Sequence, residues 1–201
     1  MSKNILHNLQ SFIISTIYNP YTFLTIEQSY SFIDSISEQM RQDGYVPDIV
    51  VGVSSGGNLP AQVLARRFNT ELTYIDVDSY KTSVCGLNMD EVIGVYRMST
   101  ILRGGKRPDV TLVEDVEKKL VMNKRVLIVD DDSYTGRTLD VVTESLRDKS
   151  VEEIRSAVLY TSNKNIDYVG KRFSREQLQT QRLRHPWSKL SPYFNQSYLE
   201  K

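Results

Sequence analysis

Several things are scarce or missing in this chain of 201 residues, and each absence excludes something. There is one cysteine, Cys85. That rules out an internal disulfide framework and suits a reducing compartment. There is no excess of either charge, since 25 Lys plus Arg face 25 Asp plus Glu. A balanced chain gives no electrostatic footprint for general nucleic-acid binding. No apolar run is long enough to span a bilayer. The opening stretch, MSKNILHNLQSFIIST, has one Lys and interleaved polar residues, which makes a poor signal peptide. No internal repeat or low-complexity segment interrupts the sequence. These absences leave a cytoplasmic protein of one domain, long enough to build a sizeable core.

What is present is concentrated at Val126–Leu139, VLIVDDDSYTGRTL. Val126, Leu127, Ile128 and Val129 form a continuous apolar run, as a central parallel strand covered on both faces requires. Asp130, Asp131 and Asp132 follow at the strand's end, where open α/β sheets bind ligands. Thr135-Gly136-Arg137-Thr138 then turns into a helix whose apolar face is Leu139, Val142 and Leu146. Backbone N–H groups at a helix start, beside threonine hydroxyls, suit a phosphate. The turn therefore offers carboxylates for sugar hydroxyls or a metal and a cradle for an anion. A strand ending in Asp-Asp also fits a Walker B element, but no G-x-x-x-x-G-K-[ST] accompanies it. A receiver domain would need several more strand–helix units than the remaining residues supply.

The other elements read in order. Residues 4–18 are expected to form a short helix with Leu6, Leu9, Ile13 and Ile17 on one face, stopped by Asn19-Pro20. Thr25 and Gln28 make a capping box for a second helix, striped by Ile26, Tyr30, Ile33 and Met40 and ended by Gly44. Residues 48–54 are a buried strand. Ser54-Ser55-Gly56-Gly57-Asn58 turns, and Leu59-Pro60 opens a helix with Ala61, Leu64, Ala65 and Phe68 inward. This is a second anion cradle of the same strand–turn–helix kind. Residues 71–78 read as a strand, and 90–97 and 109–115 are expected to be shorter ones. Between those two lies the basic tip Arg103-Gly104-Gly105-Lys106-Arg107, either a cationic lid or a solvated hairpin end. Residues 153–160 are the last core strand, before a polar, aromatic tail.

VLIV, Asp130-Asp131, a spacer and Thr135-Gly136-Arg137-Thr138 together resemble the binding motif of the type I phosphoribosyltransferases. The stretch PDIVVGVSSGGNLPAQVLARRF resembles the pyrophosphate loop of the microbial xanthine and hypoxanthine-guanine members. The likeness runs over about residues 25–190. It implies an α/β fold, a doubly wound and mostly parallel sheet with a small hood built from an insertion and the chain ends. One phosphoribosyltransferase domain would fill residues 1–201, with an N-terminal extension at 1–24, a hood and lid region at 79–115 and a base-binding segment at 161–201.

The resemblance also implies an activity: a pentosyltransferase, or glycosyltransferase, of purine salvage and nucleotide metabolism. It would move the 5-phosphoribosyl group of phosphoribosyl pyrophosphate (PRPP) to a purine-like nucleobase and release pyrophosphate, with Mg²⁺ as cofactor. The expected partners are PRPP and the base, with assembly into a homodimer or higher homo-oligomer. Asp130 and Asp131 would hold the ribose hydroxyls and the metal; Tyr134 and Lys106 join them as catalytic residues. Ser133, Thr135, Gly136, Arg137 and Thr138 would hold the 5′-phosphate. Ser54, Ser55, Gly56 and Gly57 would receive the pyrophosphate. Lys164, Tyr168, Val169 and Trp187 would meet the base. This chain departs from the family pattern at four positions: Ser55 stands for an arginine, Tyr134 for an aspartate, Ser162 for a lysine and Arg182 for an aromatic. Those departures support a second expectation, a regulator or effector that keeps the fold and binds PRPP or a nucleotide without turnover.

Overall fold

The computed structural model describes residues 22–78, 110–181, 183–188 and 191–192. The helix expected at 4–18, the strand at 90–97, the basic tip with Lys106, and Arg182 lie outside the described residues. Six strands form one sheet in the order β4–β3–β2–β5–β6–β7, and two more, β1 and β8, pair separately. The ranges are β1 Thr22–Phe23, β2 Ile49–Ser54, β3 Glu71–Asp78, β4 Thr111–Glu114, β5 Arg125–Ser133, β6 Glu153–Thr161, β7 Tyr168–Arg172 and β8 Leu183–Arg184. All neighbours in the six-stranded sheet are parallel except β3 and β4, so the antiparallel strand sits at an edge. The helices are α1 Ile26–Gln42, α2 Asn58–Phe68, α3 Lys118–Val121, α4 Arg137–Arg147 and α5 Arg175–Gln181.

The continuous apolar runs of β2 and β5 are explained by burial on both faces. Leu127 and Val129 of β5 join Val50, Ala61, Leu64, Ile33, Ile36 and Met40 on the face covered by α1 and α2. Val126 and Ile128 join Ile49, Val51, Leu139, Val142 and Leu146 on the face covered by α4. The chain leaves β2 through α2 toward β3, and leaves β5 through α4 toward β6 on the other side. The two crossovers diverge between adjacent strands β2 and β5, which is the topological switch point where such sheets open a crevice.

Three local expectations shift. The Thr25–Gln28 capping box forms, with Gln28 N–H donating to Thr25 Oγ1 at 3.2 Å and Thr25 N–H to Gln28 Oε1 at 2.8 Å. Tyr30, however, is exposed; the inward face of α1 is Ser29, Ile33, Ile36, Ser37 and Met40. Two small serines let the helix approach the sheet, and Ser37 satisfies its hydroxyl by donating to Ile33 O at 2.8 Å. β5 does not stop at Val129 but continues to Ser133, because Asp132 and Ser133 stay in register with Tyr160 and Thr161. The polar tail also contains regular structure. β7 adds to the edge beside β6, and β8 pairs with β1, tying residues just before α1 to those after α5.

Candidate functional site

β2 and β5 lie side by side, with Val51 opposite Ile128 and Gly52 opposite Val129. Their carboxyl ends carry the two turns singled out from sequence, and the structure brings those turns into contact. A Cβ placed on Gly56 would fall 2.3 Å from Asp131 Oδ2 and 2.4 Å from its Cγ. The β2–α2 turn lies directly on the Asp131 carboxylate, so a larger residue at position 56 would displace it. Gly57 is hemmed in by backbone instead: a Cβ there would fall 2.4 Å from Val129 O and 2.7 Å from Val53 O. Ser55 is exposed, and the buried Ser54 Oγ has no hydrogen-bond partner. The Ser54–Ser55 peptide is cis.

At the β5–α4 turn, Ser133 and Gly136 are buried while Tyr134, Thr135 and Arg137 are exposed. Gly136 takes φ +83°, a left-handed conformation that glycine adopts without steric cost. A Cβ there would also come within 2.6 Å of Asn163 Nδ2. The loop after β6 is fastened to this turn: the Thr161 hydroxyl donates to Ser133 O and accepts from Asn163 N–H at 2.8 Å. The residues expected to cradle a phosphate thus surround one helix start, with Asn163 as an unforeseen neighbour.

The three acids behave differently. Asp130 is 8% exposed and accepts the Asp131 N–H at 2.9 Å. Burial first, then the charges of Asp131 and Asp132, raise its carboxyl well above the usual range. Asp132 is pushed up to about 7 by burial and the Asp131 charge, against the Tyr160 hydroxyl that donates to it at 3.2 Å. Asp131 Oδ1 accepts the Asp132 N–H at 2.8 Å, and its Oδ2 faces His185 Nε2 at 3.5 Å. His185 is buried and stacks between two rings, Trp187 at 4.6 Å and 7° and Tyr160 at 5.0 Å and 23°. Burial lowers the His185 pKa from its usual value. Sequence reading did not find His185: only Trp187 of its three contacts is near it in the chain, so no spacing pattern marks it.

One donor set among the described residues can hold a cation: a ligand atom each from Asp131, Asp132 and His185 lies within 4.8 Å of the others. The expected metal pair was Asp130 with Asp131. Asp130, 8% exposed, stands outside the grouping. Two carboxylates fit a divalent ion that keeps waters and substrate oxygens.

The expected base contacts do not gather as one patch. Trp187 joins the stack at the acids. Lys164 is exposed, one residue after Asn163. Tyr168 is level with Val129, three residues short of the Asp132 level, about 10 Å along the strands. Its hydroxyl donates to Asp43 Oδ2 at 2.7 Å and accepts from Arg155 Nη1 at 2.8 Å, beyond the C-terminus of α1. Val169 is core, and its backbone is taken by Gln39, which donates to the carbonyl at 2.8 Å and accepts from the N–H at 3.2 Å.

Comparison with known proteins follows the same geometry. The family described as phosphoribosyl transferase domain matches residues 22–187. A purine phosphoribosyltransferase from Pyrococcus horikoshii Ot3 is similar at a TM-score of 0.61 and 26% identity, over 85% of this chain and 95% of its own. A hypothetical protein from Neisseria gonorrhoeae with bound ppGpp gives 0.63 and 17%, over 86% and 91%. A hypoxanthine phosphoribosyltransferase from Staphylococcus aureus gives 0.53 and 22%, over 87% and 83%. Among curated proteins none matches.

Proposed function

The chain belongs to the phosphoribosyl transferase domain family, and on that premise we propose that it transfers the 5-phosphoribosyl group from PRPP to a purine-like nucleobase, releasing pyrophosphate. The observation that carries this reading is the contact between the two anion turns at the switch point, Gly56 against the Asp131 carboxylate. A phosphate held at Thr135–Thr138 and a pyrophosphate held at Ser54–Gly57 would then flank one ribose, with the acids of β5 between them. The relative from Pyrococcus horikoshii, named as a purine phosphoribosyltransferase, supports the choice of acceptor class.

In this reading the protein does little covalent work. As C1′ loses pyrophosphate and gains a bond to a base nitrogen, positive charge develops on the sugar, and catalysis is positioning plus charge stabilisation. Asp130 and Asp131 orient the ribose hydroxyls. Thr135, Gly136, Arg137 and Thr138 fix the 5′-phosphate, and Ser54–Gly57 receive the leaving group through backbone N–H groups. Asp131 and Asp132 are the carboxylates that would help hold Mg²⁺, which when bound would supply charge neutralisation for the leaving group.

The deciding experiment is a pyrophosphate-release screen with PRPP, Mg²⁺ and a panel of common and modified bases. Steady release with any base supports the transferase. PRPP binding without release across the panel would instead establish the regulator that the substitutions at Ser55, Tyr134, Ser162 and Arg182 allow.

A further inference from the structure

We propose that Asp131, Asp132 and His185 form a PRPP-independent site for a borderline first-row divalent ion of the Mn²⁺, Co²⁺, Ni²⁺ and Zn²⁺ class. Three observations carry it. The ligand atoms of the three side chains lie within 4.8 Å of one another, close enough to share one ion. The His185 side chain is 5% exposed, neither ring nitrogen makes a hydrogen bond, and Nε2 points at Asp131 Oδ2 from 3.5 Å. A buried polar atom left without a hydrogen bond is costly, so an imidazole kept in this state is explained by a ligand that satisfies it.

The third observation is that each ligand is already oriented. Asp131 Oδ1 is held by the Asp132 N–H at 2.8 Å, Asp132 Oδ2 by the Tyr160 hydroxyl at 3.2 Å, and the His185 ring by stacking on Trp187 and Tyr160. Such outer contacts fix metal ligands in productive geometry. The nitrogen decides the class of ion. Mg²⁺ takes oxygen ligands and arrives largely on substrate phosphates, whereas imidazole with carboxylates suits Zn²⁺, Ni²⁺ or Co²⁺ and gives them the affinity order of divalent metals. One His and two carboxylates leave coordination positions open for water. Where PRPP also needs Asp131, as the proposed transferase requires, the ion and PRPP·Mg²⁺ compete; that consequence rests on the functional reading, while the metal site does not.

The structure supplies its own reporter, because Trp187 is the only tryptophan and lies 4.6 Å from the His185 ring. Titrating the metal-free full chain with Ni²⁺ or Co²⁺, without PRPP, should quench tryptophan emission to saturation at one ion per chain. Millimolar Mg²⁺ should neither quench nor displace it. His185→Gln and Asp132→Asn should each weaken binding at least about tenfold, while His7→Gln, which removes the chain's other histidine, should leave it unchanged. Nitrogen coupling in the pulsed paramagnetic resonance of the wild-type Mn²⁺ complex gives the same answer without relying on a variant that folds. Absence of saturable quenching, equal competition by Mg²⁺, wild-type affinity in a folded His185→Gln or Asp132→Asn chain, or no nitrogen coupling would each overturn the site. Failure here leaves the pyrophosphate-release result untouched, so the two readings stand or fall separately.

Discussion

Replacing Gly56 with alanine should separate function from stability. The new Cβ would meet the Asp131 carboxylate at 2.3, 2.4 and 2.6 Å from Oδ2, Cγ and Oδ1. Restoring ordinary contact requires the carboxylate to withdraw by about 1 Å, since ordinary Cβ contact begins near 3.4 Å. The carboxylate is the end of a side chain and can rotate. Rotation forfeits the Asp132 N–H bond of 2.8 Å, at a net cost of about 0.5–1.5 kcal/mol, or a few degrees in Tm for a chain of this size. The functional cost is larger, because a misplacement of about 1 Å at a reacting centre lowers rate on the order of 10²-fold. Gly57→Ala is the control with the opposite signature. Its Cβ meets backbone oxygens of Val129 and Val53, which cannot rotate away. Overpacking of that kind costs about 1–3 kcal/mol, roughly 2–12 °C in Tm. The assays are thermal unfolding, calorimetric PRPP affinity and pyrophosphate release on both variants. A Gly56→Ala protein with wild-type affinity and turnover would refute the argument that the two turns serve one ligand.

Gly136→Val should weaken PRPP binding measured by calorimetry, because φ +83° and the Asn163 amide leave no room for a side chain; Asp131→Asn should weaken it as well. Lys106→Ala should lower kcat more than it weakens PRPP binding, the signature of a group that acts in the transition state, and wild-type kinetics would remove the basic tip from the mechanism. Asp132 has a folded-state pKa near 7 against an ordinary value of 3.8, so its contribution to stability is full below about pH 4 and is lost as pH rises through 7. The Tm of the ligand-free protein should therefore fall across that window, with a shallower slope in Asp132→Asn. Because Tyr134 is a weak base at neutral pH, hypoxanthine, guanine and xanthine should each give kcat/KM below about 10⁴ M⁻¹s⁻¹, the lower end of the usual enzyme range; a higher value for any of them restores ordinary purine salvage.

What could be read from the sequence was what is encoded locally. The run Val126–Val129 declared a strand buried on both faces, and the Thr25–Gln28 box declared a helix start to the residue. Both anion turns were visible because strand, glycine turn and helix occupy consecutive positions. β7 and β8 were not visible, since their partners are remote; α5 was missed although its start is encoded locally, with Gln177 N–H donating to Ser174 Oγ at 3.1 Å and Ser174 N–H to Gln177 Oε1 at 2.8 Å. Tyr168 is held by Asp43 and Arg155, Val169 by Gln39, and β8 by β1 across some 160 residues of chain. The end of β5 was misread for the same reason: three aspartates are poor strand formers, and only pairing with Tyr160 and Thr161 keeps them extended. Tyr168 was assigned to a base pocket by its place in a motif, yet its hydroxyl is committed near the opposite end of the sheet.

The distribution of unsatisfied polarity argues that the carboxyl ends of β2 and β5 are built for a ligand. Buried polar atoms are normally hydrogen-bonded. Here Ser54 Oγ, both His185 nitrogens and Trp187 Nε1 are not, and all three residues stand at that end of the sheet; Thr70 Oγ1, before β3, is an exception at the other end. At the same place burial raises the pKa of the Asp130 and Asp132 carboxyls. Each unmet donor or acceptor costs about 1–3 kcal/mol, and a fold that needed only stability would fill these positions with apolar residues of similar volume. Elsewhere the polar groups close on one another, as Asp115 does with Lys149 and Ser145, or Asp48 with Arg125. Among the described residues the cost is thus concentrated at the switch point, where sugar hydroxyls, phosphate oxygens or a cation would supply the missing partners. A ligand that does so binds the folded chain and not the unfolded one, and its binding energy offsets the cost of these buried polar groups.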